Sequence, residues 1–67
     1  MNALSPDELR AARKSLGFTQ HRMADALGFG RWGFQTVAAM EKGKAPITER
    51  TAKAVLAIVA ASERNVS

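Results

Sequence analysis

Few side chains in this chain could make or break bonds. His21 is the only histidine, and neither cysteine nor tyrosine occurs, so there is no thiol nucleophile, Cys-based zinc site or disulfide framework. The acids Asp7, Glu8, Asp25, Glu41, Glu49 and Glu63 are each accounted for by helix caps, ion pairs or solvated surface. No metal-ligand cluster or phosphate-cradling glycine loop is present, and Gly28, Gly30 and Gly33 read as turn glycines. Catalysis therefore ranks last, and no cofactor, metal or small-molecule ligand is implied. What remains is recognition chemistry. Carboxamides at Gln20 and Gln35, a hydroxyl at Thr36, and basic groups at His21, Arg22, Arg31, Lys42 and Lys44 form and accept hydrogen bonds without reacting.

The bulk properties agree. Ten Lys+Arg stand against six Asp+Glu, a net charge of +4 with a pI near 10.4, which favours a polyanion, either nucleic acid or an anionic membrane. The longest apolar run, Ala54 to Ala61, is far too short to span a bilayer. Met1 to Asp7 lacks the charged and apolar parts of a secretion signal. A reducing cytoplasm is the expected location. Sixty-seven residues are expected to make one domain, 1–67, with a small core that gains from self-association.

The elements that position these residues are legible as helix starts and stops. Leu4-Ser5-Pro6-Asp7-Glu8-Leu9 combines an N-cap serine, proline at N1, a capping-box glutamate and a Leu4–Leu9 staple. That first helix buries Leu9, Ala12, Leu16 and part of Arg13, and stops at Gly17. Thr19 caps the second, with Phe18 and Met23 as staple, and Gly28 can take the left-handed conformation that ends it. The third begins between Trp32 and Gln35 and stops at Gly43. Thr48 caps the last, about residues 49–62, followed by a frayed tail from Arg64 to Ser67. In it Ala52, Val55, Leu56 and Val59 form one stripe, assigned to the core. Ala54, Ala57, Ile58 and Ala61 form a second stripe, read either as tolerated alanine or as a two-fold dimer interface.

The stretch 19–43 carries a family likeness. Thr19-Gln20, Met23-Ala24, Leu27-Gly28, Thr36-Val37 and Glu41-x-Gly43, with Arg13 four residues before Gly17, resemble the helix-turn-helix of the Cro/C1-repressor (XRE) family over about residues 5 to 60. One departure stands out. From Gly28 to Thr36 the chain is about three residues longer than the family pattern, through Phe29-Gly30-Arg31-Trp32-Gly33-Phe34. Some small phage-associated regulators have a similar lengthened turn. The resemblance implies an all-α, compact four- to five-helix bundle of the lambda-repressor-like type.

It also implies roles. The second helix of that motif, the third of the chain, enters the major groove while the motif's first crosses the backbone. Gln20 then faces a phosphate or a base edge, with His21 and Arg22 either on phosphate or solvated. Val37 and Met40 point inward, which leaves Gln35 as the best base reader and Thr36 for a phosphate or thymine methyl. Ala39 allows close approach. Arg31 supplements a face short of polar readers, and Lys42 and Lys44 flank the glycine where the family grips DNA, partly through main-chain N–H groups of the loop. Phe29 is expected in the core, whereas Trp32 and Phe34 divide evenly between core plug and DNA contact. Arg13 either snorkels to water or, as its family equivalents do, pairs with Glu41.

The leading expectation is thus a sequence-specific double-stranded-DNA-binding regulator. Repression by occlusion, as a homodimer on an inverted repeat, is its expected mode, with autoregulation and a phage or mobile-element association as further expectations. A protein-interaction module, such as the antitoxin of a toxin–antitoxin pair, is the alternative. Membrane-surface binding through Ala54–Ala61 ranks lower, for want of flanking charge and an aromatic anchor.

Overall fold

The computed structural model describes residues 4–64. Its elements are four helices: α1 (Pro6–Ser15), α2 (Gln20–Leu27), α3 (Gly33–Glu41) and α4 (Glu49–Arg64). Among the described residues there is no strand, and no helix is long and apolar enough to cross a membrane. The last helix runs two residues past its expected end, and residues 65–67 of the expected tail lie outside the described residues.

Three of the four helices start where a side-chain oxygen replaces a missing backbone partner. Ser5 Oγ accepts from the Glu8 N–H at 3.1 Å while Glu8 Oε1 accepts from the Ser5 N–H at 2.9 Å, a reciprocal capping box. Thr19 Oγ1 accepts from the Arg22 N–H at 3.1 Å, and Thr48 Oγ1 from the Thr51 N–H at 3.2 Å. α3 differs. It begins at Gly33, and Trp32 at its N-cap position makes no side-chain cap.

The first three helices end alike. Gly17, Gly28 and Gly43 all take positive φ, between 73° and 78°. After each, the next N–H reaches back to a carbonyl five residues upstream: Phe18 to Arg13, Phe29 to Ala24, Lys44 to Ala39. This closure satisfies carbonyls that a helix end otherwise strands, and only glycine adopts the required backbone without strain.

Isolated helices of eight to ten residues are marginal in water, so the packing must hold them. Leu9 of α1, Met23 and Ala24 of α2, Val37 and Met40 of α3 and Val55 of α4 form one buried cluster, with Leu4, Leu16, Phe18, Leu27, Phe29, Ile47 and Val59 packed around it. Burying each large side chain of that set is worth about 1.5–3 kcal/mol. α2 and α3 make the most extensive pairing, braced by α1 and α4.

One core assignment is overturned. Leu56 is 55% exposed, whereas Ala52, Val55 and Val59 face or flank the core. Each residue advances about 100° around a helix, so Leu56 rolls off the buried edge once Val55 takes its centre. On the second stripe, Ala54 and Ile58 are half-buried and Ala57 and Ala61 exposed.

Candidate nucleic-acid interface

The site is built around α3, and α3 is held at both ends. At its C-terminal end Glu41 is 4% exposed and fully engaged. Arg13 donates from Nε to Glu41 Oε2 at 2.6 Å and from Nη2 to Oε1 at 3.1 Å. The same guanidinium donates from Nη1 to the Phe18 carbonyl at 3.0 Å, tying together α1, the turn after it and α3. Arg10 adds a donor from Nη2 to the Glu41 carbonyl at 3.3 Å, and its Nε lies 3.8 Å from Oε1. A bidentate, part-buried pair fixes geometry, and breaking it strands a charge. Arg10 was not singled out in the sequence. Its signal was its place one turn before Arg13, on the same side of α1.

Gln20 joins the same cluster. Its Nε2 turns inward and donates to Glu41 Oε1 at 3.4 Å, and the side chain is half-buried. One N–H of the amide is thereby drawn into the Glu41 cluster, while a carboxamide carries a second N–H donor and an acceptor oxygen. The physical reason is proximity: Glu41 Oε1 also takes the Arg13 Nη2 donor, and an ionised carboxylate oxygen can accept more than one.

At the other end of α3 the lengthened turn is packed, not loose. Gly30 takes φ +87°, and the Gly33 N–H donates to the Gly30 carbonyl at 3.1 Å. Gly33 is buried, and its backbone conformation is ordinary. What it supplies is clearance, since a Cβ there would collide with Phe29 Cβ and lie 3.0 Å from Ala24 Cβ. Expected as a turn glycine, it instead permits the close approach of α3 to α2. Phe29 packs on the core, as expected. Phe34 stacks on His21, centroids 4.1 Å apart and planes 22° apart, so it bridges α3 to α2. Trp32 is left 65% exposed, with the Arg31 guanidinium 6.0 Å from its ring centroid.

Between these ends the outer side of α3 shows Gln35 and Thr36 exposed, Ala38 and Ala39 half-buried, and Val37 and Met40 inside. His21 and Arg22 on α2, and Lys42 and Lys44 after α3, are exposed. Arg22 also sits 5.6 Å over the Phe18 ring. The main chain just after α3 is already engaged. The N–H groups of Lys42, Gly43, Lys44 and Ala45 all donate to α3 carbonyls, at 2.8 to 3.3 Å. These four N–H groups close the helix, while the side chains of Lys42 and Lys44 remain exposed beside them.

A helix–turn–helix pair braced by a flanking helix on each side, with the second helix's outer face polar and bordered by cations, is the architecture of a DNA-binding domain. A family model described as helix-turn-helix matches residues 9–59, from within α1 to within α4. The chain belongs to the Cro/C1-type (XRE) helix-turn-helix family and is a DNA-binding regulator of that type, a family of regulatory domains rather than enzymes. No match was found among curated proteins or solved structures.

Proposed function

We propose that this protein is a transcriptional repressor that occludes an inverted-repeat operator as a homodimer. The observation that carries the reading is the state of α3. Its one acid, Glu41, is buried and paired, while Gln35 and Thr36 stand exposed and Lys42 and Lys44 follow. A face with hydrogen-bonding side chains, flanking cations and no free carboxylate suits a polyanion with readable base edges. In this reading Gln35 bonds adenine N6 and N7, Thr36 takes a phosphate or thymine methyl, and half-buried Ala39 lets the helix approach closely. His21, Arg22, Lys42 and Lys44 contact phosphates, which sets position and orientation rather than sequence. The second copy is supported by α4, where Ala57 and Ala61 are exposed beside half-buried Ala54 and Ile58. Two recognition helices related by a two-fold axis through that face would sit about 34 Å apart, one turn of DNA.

The test is selection from a random duplex pool, followed by titration of the enriched duplex at several salt concentrations against a shuffled one. The enriched sequences are expected to share an inverted repeat, and binding to survive shuffled competitor. Gln35→Ala should then cost about 1–3 kcal/mol and relax one position, whereas Lys44→Ala should weaken every duplex and lower the salt slope by about one. A pool that enriches nothing, or binding that shuffled DNA abolishes, overturns the reading.

A further inference from the structure

We infer that Arg31 and Trp32 form a reading element of their own: the Trp32 indole takes up a thymine methyl in the major groove next to the bases read by α3, and Arg31 anchors on the adjoining phosphate. This rests on the repressor reading above and extends the recognised sequence beyond the reach of Gln35 and Thr36.

Trp32 needs an explanation that folding does not provide. It is the chain's one tryptophan and is 65% exposed. It occupies the N-cap position of α3 without capping it. The neighbouring aromatics are all placed: Phe29 on the core, Phe34 on His21, Phe18 under Arg22. Trp32 touches only the edge of that set, its ring 6.2 Å from Phe34 and tilted by 42°. A core this small could use an indole, yet the turn holds it out.

The backbone that carries it is firmly set. The residue after it, Gly33, is wedged against Phe29 and Ala24. Gly33 N–H is bonded to Gly30, and the Trp32 carbonyl accepts from the Gln35 N–H at 3.1 Å. A contact group presented on a fixed backbone loses little entropy when it binds.

Position and charge choose the occupant. The N-terminal residues of a recognition helix lie nearest the base edges, and Trp32 immediately precedes α3. Arg31 is the only charged residue from Ala26 to Met40, and its guanidinium lies over the indole. An apolar ring beside one unopposed cation matches a surface that is anionic and bears an apolar knob. In the major groove that knob is the thymine C5-methyl. A protein partner would instead present acids to Arg31 and no methyl-bearing base.

The test uses the full chain with the duplex enriched by selection. Trp32 is the sole indole, so tryptophan emission reports this position alone. Emission should change on saturation with the enriched duplex. Replacing each thymine in turn with deoxyuridine should lower wild-type affinity about fourfold at one position per half-site, the fold-change for one buried methyl group. Trp32→Ala should bind more weakly and be indifferent to that same replacement, while Trp32→Phe should keep the preference. Melting curves of both variants are expected to overlay wild type, because the side chain is mostly in water. Unchanged emission at saturation, or the same deoxyuridine penalty in wild type and Trp32→Ala, overturns the proposal. So does an emission shift that depends on protein concentration without DNA, which would place Trp32 between two copies. A pool that enriches no duplex would mean that the repressor reading has failed; an enriched duplex bound with a silent indole would sink this proposal alone.

Discussion

The two ends of α3 are held by different physics. At the C-terminal end a buried carboxylate gathers Arg13, Arg10 and Gln20, and a left-handed glycine returns the chain. Position there is set by polar satisfaction, which is directional and costly to violate. At the N-terminal end no side chain caps the helix. Position is set by shape, through the missing Cβ of Gly33 and the Phe34–His21 stack. The polar lock aligns α3 with α1, and the steric fit sets its distance from α2. A recognition helix needs both, since a small error in placement at either end moves every side chain that faces the groove.

That contrast can be broken from either side. Glu41→Ala has the largest expected effect, about 3–5 kcal/mol, because it leaves the Arg13 charge part-buried and unpaired. For a domain this size each kcal/mol is worth roughly 4–8 °C, so the melting temperature should fall by at least about 12 °C. Combining Arg13→Met with Glu41→Leu should recover part of that loss, since an apolar pair removes the stranded charge. An unchanged melting temperature in Glu41→Ala would show that the cluster is not what holds this end. Gly33→Ala comes next, at about 1–3 kcal/mol for overpacking, measured by denaturant titration. It should also weaken binding to selected DNA beyond the stability loss, because α3 must shift to admit the methyl. Phe34→Leu should cost least, about 0.5–1.5 kcal/mol, as it keeps apolar bulk and loses only the ring stack. If Phe34→Leu proved worse than Gly33→Ala, stacking rather than close approach would be the dominant device at this end.

How much of this was legible depended on the range of the interaction. Ser5, Thr19 and Thr48 were readable as caps, and Gly17, Gly28 and Gly43 as stops, because each acts on backbone groups within a few residues. The inward set Leu9, Met23, Val37, Met40 and Val55 followed from helical spacing for the same reason. The Arg13–Glu41 contact, by contrast, spans 28 positions and entered only through family likeness and the oddity of an arginine on an apolar face. Gln20 shows the limit. Its place at a helix start pointed to a phosphate or a base edge, and nothing in that local position announced its contact with Glu41, 21 positions away.

The sequence by itself determined where helices begin and end, which faces are apolar, that the surface carries positive charge, and the ordered motif that marks the family. Those are properties of neighbours along the chain, encoded by residue type and spacing. The tertiary structure alone decided that Leu56 stays in solvent, that Gly33 is a point of contact rather than a turn, and that Trp32 is held outward. Each of those depends on which surface another helix happens to occupy, and no local spacing rule contains that information.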